Sequence, residues 1–168
     1  RARQVLEAVG ALVVAVAGGA PPEVRAADLP SVLTEYSVAS WGQKDGFPLG
    51  NTWSIVQDED GYLWLGTDTG LFRFDGVRFV PWTAPEVEPP LRGSVRSLLV
   101  ARDGSLWIGY GESGRAVRLH RGESRIYGEA EGLTRAALTA LAEDPEGRIW
   151  AATARGLYQL NSHKWIRA

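Results

Sequence analysis

Asp60-Gly61-Tyr62-Leu63-Trp64-Leu65-Gly66-Thr67 returns twice along the chain. Trp64 is followed 43 residues later by Trp107, in Asp103-Gly104-Ser105-Leu106-Trp107-Ile108-Gly109, and 43 residues after that by Trp150, in Glu146-Gly147-Arg148-Ile149-Trp150-Ala151-Ala152. The same offset carries Gly61 onto Gly104 and Gly147, Gly66 onto Gly109, Leu63 onto Leu106 and Ile149, and Ile55 onto Leu98 and Leu141. Several apolar and glycine positions in one register make a structural repeat, and a repeat of this length points to blades or a solenoid.

Working outward within one unit, the acidic-x-Gly step marks a tight turn, since glycine accepts positive φ and Asp hydrogen-bonds its own backbone. Tyr62 to Thr67 then suits a strand buried on both faces. Leu71 to Phe74 makes the next strand, Asp75-Gly76 reads as a two-residue hairpin, and Val77 to Val80 follows as a strand. With Trp53 to Val56 in front, each unit holds four short strands, as a propeller blade does. The fold class is therefore all-β, with about three four-stranded units over roughly 32–83, 84–128 and 129–168. The last of these ends with the strands Gly156 to Leu160 and Lys164 to Ile166. Val32 to Ala39 reads as a lone strand belonging to a further blade.

Two connections differ between units. Asp45-Gly46-Phe47-Pro48 echoes Glu131-Gly132-Leu133-Thr134, whereas Pro85-Glu86-Val87-Glu88-Pro89-Pro90 occupies the matching place in the second unit. Gly109-Tyr110-Gly111-Glu112-Ser113-Gly114 is longer by two residues than Gly66 to Gly70. Loops that differ on a shared scaffold are candidate ligand contacts, with surface drift as the competing reading.

Composition narrows the function. Net charge is −2, so no basic field invites nucleic acid. Cysteine is absent, which removes disulfides, thiolate metal sites and cysteine nucleophiles. The two histidines, His120 and His163, lie near hairpin turns and share no metal-ligand spacing. Neither a phosphate loop nor a Gly-x-Ser-x-Gly turn is present. Asp58-Glu59-Asp60-Gly61 resembles the opening of a calcium loop, but Ala101 replaces Asp58 in the second unit, so turn chemistry is the stronger reading. No cofactor, metal or catalytic residue is expected, and the twenty acidic residues supply no selected pair for glycoside hydrolysis.

Val9 to Ala20, behind Arg1 and Arg3, is an apolar run too short to span a bilayer, which takes about 20 residues. Residues 1–27 read as a signal peptide or a short apolar helix, with 28–168 as the exported propeller part. The missing initiator methionine marks the sequence as a fragment. Trp64, Trp107 and Trp150 are expected to pack between blades, and Gly61, Gly66, Gly104, Gly109 and Gly147 are the glycines of the repeat, placed at its turns and strand ends. Asn51, Trp53 and Arg96 enter the inner strands, with Trp53 just ahead of its strand, and are the candidate ligand-binding residues at the mouth of a central channel.

Asp45-Gly46-Phe47-Pro48, Ile55 through Thr67 and Gly70-Leu71-Phe72-Arg73-Phe74-Asp75-Gly76 together resemble the two-component regulator propeller repeat. This repeat occurs in extracytoplasmic sensor regions of bacterial hybrid histidine kinases and related diguanylate cyclases. The resemblance runs from about Val32 to Ile166 and weakens at Ala101 and at Ala151-Ala152. It implies a propeller of about seven blades, completed by further blades and followed by a membrane helix and a signalling module, the whole working as a homodimer. The function implied is sensing of a small molecule or oligosaccharide in the periplasm as input to a phosphorelay, without catalysis in this part. An exported carbohydrate-binding propeller, or a glycan lyase or hydrolase, is the alternative.

Overall fold

Turn residues set at fixed intervals divide the chain into short strands, and these form three four-stranded antiparallel sheets. The computed structural model describes residues 39–83 and 93–168, with Trp41–Ala168 as one compact unit. The first sheet is β1 (Thr52–Gln57), β2 (Leu63–Thr67), β3 (Gly70–Phe74) and β4 (Phe79–Trp82). The second is β5 (Val95–Val100), β6 (Leu106–Tyr110), β7 (Ala116–His120) and β8 (Glu123–Tyr127). The third is β9 (Leu138–Glu143), β10 (Ile149–Thr153), β11 (Gly156–Asn161) and β12 (Lys164–Arg167). Strands pair in chain order within each sheet, and β5 packs between β1 and β9. Successive sheets meeting through their first strands are propeller blades, whose inner strands surround the axis. The apolar segment in 1–27, the strand expected from Val32 and the proline-rich Pro85 to Pro90 connection lie outside the described residues.

One strand sits elsewhere than the sequence suggests. Val77 and Arg78 belong to a turn, and β4 begins at Phe79, opposite Phe74. The Asp75 carboxylate accepts hydrogen bonds from Val77 N and Arg78 N at 2.8 and 2.7 Å, which holds a four-residue loop where a two-residue hairpin was expected. The echo between Gly46 and Gly132 has a structural basis: each ends a short 3-10 turn with positive φ, 82° and 94°. In each, an acidic side chain, Asp45 or Glu131, accepts the N–H of Gly42 or Gly128.

Blades dock by small residues. A Cβ on Gly66 would lie 2.8 Å from the Val95 carbonyl, and one on Gly109 would run into Leu138. Ser54 Oγ accepts from Leu98 N at 3.1 Å, and Ser97 Oγ accepts from Leu141 N at 2.9 Å. The inner strand of each following blade is thus held against its predecessor by one glycine and one serine. The third blade carries Ala152 and Ala140 at these positions. Two apolar clusters fill the gaps. One places Trp64 and Leu71 of the first blade against Leu98, Leu106, Ile108 and Val117 of the second. The other places Trp107, Ala116 and Tyr127 against Leu141, Ile149, Tyr158 and Trp165. Trp64 and Trp107 are buried, and Trp150 is half-buried.

The acidic turns serve the tryptophans. Asp58 accepts from Tyr62 N and from Trp64 Nε1 at 2.8 and 2.7 Å. Asp144 repeats this with Arg148 N and Trp150 Nε1, both at 2.8 Å. Ala101 offers no carboxylate, so Trp107 Nε1 is buried without a partner among the described residues. Two carboxyls in these turns are held at about 2. For Asp103, burial pushes upward, but donation from Ser105 Oγ and N and from Arg118 overcomes it. For Asp144, burial is likewise outweighed, by Trp150, Arg148 N and the Arg148 guanidinium. Both lie below the ordinary value of 3.8, so the unfolded chain takes up these protons first. The stability they contribute is complete above about pH 4 and is lost as pH falls toward 2. Melting temperature should fall over that window, with a shallower fall in Asp103→Asn; an unchanged slope in that variant would rule out this role for Asp103.

Candidate functional site

The first strand of every blade carries a β-bulge at one repeated position. Thr52 pairs with Thr67 and Ser54 with Gly66, which leaves Trp53 as the extra residue. Val95 pairs with Tyr110 and Ser97 with Gly109, leaving Arg96. Leu138 pairs with Thr153 and Ala140 with Ala152, leaving Thr139. A bulge breaks strict in-out alternation and re-aims its side chain, which is why bulges recur beside functional sites. Trp53 therefore lies inside β1 and not just ahead of it.

The three candidate residues come together. Asn51, Trp53 and Arg96 converge on Asp68, at the turn between β2 and β3. Asp68 Oδ2 accepts from Asn51 N at 2.8 Å and Asn51 Nδ2 at 3.0 Å, and Oδ1 accepts from Trp53 Nε1 at 2.6 Å. Arg96, from the second blade, places its guanidinium 4.2 Å from the centre of the Trp53 ring, a cation-π contact across the blade junction. The backbone N–H of Asn51, then Trp53 and Asn51 side chains and the Arg96 charge, hold the Asp68 carboxyl below its ordinary range. The group is solvent-exposed on the side chains that matter, with Trp53 43% exposed, so it can meet a ligand without the fold opening.

The lengthened loop reaches the same place. Tyr110 N donates to Arg115 O, leaving four turn residues where the first blade has Asp68-Thr69 and the third Ala154-Arg155. Its Gly111 backs directly onto Arg96, since a Cβ there would lie 2.5 Å from Arg96 Cγ and 3.0 Å from Nε. Glu112 lies against Gly93. Two features that the sequence singles out separately, the inner-strand residues and the divergent loop, are therefore neighbours.

The backbone beneath is constant. Asp68 N donates to Asn51 O, Gly111 N to Ser94 O and Ala154 N to Ala137 O. On this fixed frame the side chains read Asn51-Trp53-Asp68, Ser94-Arg96-Gly111 and Ala137-Thr139-Ala154. Sequence reading missed Asp68, although its change to Gly111 and Ala154 on an otherwise repeated turn is a signal that was available. The inter-blade clefts are chemically committed by comparison. That between the first two blades, about 580 Å³, is lined by Asp58, Trp64, Arg73 and Asp103, and Asp58 and Asp103 there serve turns.

Comparison with known proteins places this arrangement. The strand order and blade contacts define a segment of β-propeller. Residues 46–69, which run through β1 and β2, match the family described as Two component regulator propeller. No curated protein matches the chain. Among solved structures it is similar to the extracellular domain assigned to the one component system BT4673 of B. thetaiotaomicron, with 22% identity, TM-score 0.64, and coverage of 80% of this chain and 19% of that one. It is also similar to the extracellular domain assigned to the hybrid two component system BT3049 of the same organism, with 20% identity, TM-score 0.59, and coverage of 77% and 18%. Virginiamycin B lyase from Staphylococcus aureus shares the fold at 17% identity and TM-score 0.52, with coverage of 69% and 40%. The chain spans less than a fifth of these two extracellular domains.

Proposed function

We propose that this chain is part of the extracytoplasmic sensing propeller of a two-component regulatory protein, and that the Asn51-Trp53-Asp68-Arg96 cluster receives its signal molecule. The observation that carries this is the pairing of a constant backbone frame with side chains that differ in every blade, at the bulge of each inner strand. The repeat in the first blade and the names of the structural neighbours support the regulatory setting. An extracellular small molecule or oligosaccharide would bridge Trp53 on one blade and Arg96 on the next. A ligand that binds one blade-to-blade arrangement better than another shifts the population toward it, by no more than its difference in affinity. Further blades, a membrane connection and a homodimeric signalling module of the same protein would carry that shift to a phosphorelay. The propeller needs no catalytic group for this role.

Calorimetric titration of the full chain against a panel of oligosaccharides tests the reading. Saturable binding without product is expected, weakened at least about tenfold in Trp53→Ala, as for loss of a main aromatic contact. Thermal stability should change little, because Trp53 is 43% exposed. Binding unchanged in both Trp53→Ala and Arg96→Ala would remove the cluster from the function, and accumulation of a cleaved product would favour an exported lyase or hydrolase.

A further inference from the structure

The bulge side chains of the first two blades are treated differently by the turn that faces them. In the first blade, Asp68 answers Trp53 with a carboxylate oxygen at 2.6 Å. In the second, the residue with the same backbone hydrogen bond is Gly111, donating to Ser94 O as Asp68 donates to Asn51 O. Gly111 has no side chain, and any Cβ there would press on Arg96. The frame that supplies an acid for Trp53 thus supplies none for Arg96.

Arg96 is nonetheless held in place. Its guanidinium carbon lies 4.2 Å from the centre of the Trp53 ring, its stem rests on Gly111, and the residue is exposed. Among the described residues its guanidinium makes no ion pair within 4.0 Å. Asp68 feels the Arg96 charge but makes no ion pair with it, its oxygens accepting instead from Asn51 and Trp53. The cation-π contact uses a face of the guanidinium and leaves its N–H donors, which lie in the plane of the group, free for two parallel bonds to a planar carboxylate.

We infer that the ligand of this site bears a carboxylate, which pairs with the exposed Arg96 guanidinium at the junction of the first two blades. This rests on the cluster being the ligand site, and it adds the chemical class. A uronic-acid saccharide or a free organic acid would both present the group. A neutral saccharide would leave the guanidinium unanswered.

The test is a titration of the full chain with galacturonic acid trimer, with the methyl ester of that trimer, and with succinate. The acid trimer should bind about tenfold or more tightly than its ester, as a charge-assisted pair does over a neutral one. In Arg96→Gln the ratio of acid to ester affinity should fall to parity, whatever that variant does to binding of the ester itself, and Arg96→Lys should retain part of the preference. Asp68→Asn, which removes the nearby negative charge, should strengthen binding of the acid. Succinate binding that depends on Arg96 identifies an organic acid as the source; binding of the trimer alone identifies a uronate. Equal binding of acid and ester, an acid preference that survives Arg96→Gln, or no binding of either carboxylate overturns the inference. If acid and ester bind equally and both require Trp53, the site stands and only its anionic character falls.

Discussion

Trp107→Ala will cost about 4 kcal/mol of unfolding free energy, at the upper end for one core residue. The ring is 2% exposed and lies at the junction of the second and third blades. Its centre is 5.4 Å from that of Tyr127 and 6.0 Å from that of Trp165, the latter edge-on. Removing it opens a cavity that no neighbour can fill, because Leu141, Ile149 and Ala151 beside it are fixed by their own strands. Urea denaturation reads the loss directly, and a cost below about 2 kcal/mol would place the ring outside the core. Phenylalanine separates packing from hydrogen bonding. Trp64→Phe removes a donor from Asp58, whereas the Trp107 indole N–H has no partner among the described residues to lose. Trp64→Phe should therefore be costlier than Trp107→Phe by about 1–2 kcal/mol. Equal costs would show that the Asp58 bond contributes nothing.

The contrast between these two tryptophans shows what a one-dimensional reading reaches. Trp64, Trp107 and their glycines are legible because one packing solution is repeated, and a repeated contact leaves a periodic trace. Ala101 was visible as a departure, and its consequence, an unpartnered indole, follows from Asp58 and Asp144 both reaching their tryptophans. The start of β4 was not legible. A two-residue turn and a four-residue loop share the letters Asp-Gly, and only the Asp75 carboxylate closing onto two backbone N–H groups decides between them. The bulges were hidden for a related reason. An extra residue in β1 exists only relative to the register of β2, so Trp53 and Arg96 could be placed near the inner strands but not at their bulges. Asp68 went unnoticed because its partner Trp53 is 15 residues away, a pairing created by the turn and invisible to local pattern. The candidate residues and the long loop were each found separately, and only the fold makes them neighbours.

Gly109→Val will cost about 3 kcal/mol, the upper range for inserting bulk into a packed interior. The glycine faces the inner strand of the third blade, and its missing side chain is the space that Leu138 occupies. A Cβ there collides with Leu138 Cδ2 and comes within 3.3 Å of Leu141 Cδ1 and 3.4 Å of Ser97 Cβ. A flexible leucine tip could ordinarily turn aside, but Leu138 is wholly buried and has nowhere to go. Retreat of the whole strand would instead break the Leu141 N to Ser97 Oγ bond that holds the blades together. Gly42→Val serves as the control, since nothing lies within 4 Å of its would-be Cβ and its φ of −131° is extended; it should shift stability by less than about 0.5 kcal/mol. The mechanism is tested by pairing the change with Leu138→Ala. If the steric account is right, the double variant is more stable than the sum of the single losses, by about 1–2 kcal/mol of coupling between touching residues. Strict additivity would mean that valine acts on the strand itself, and that close approach of the blades is not what requires glycine at this position.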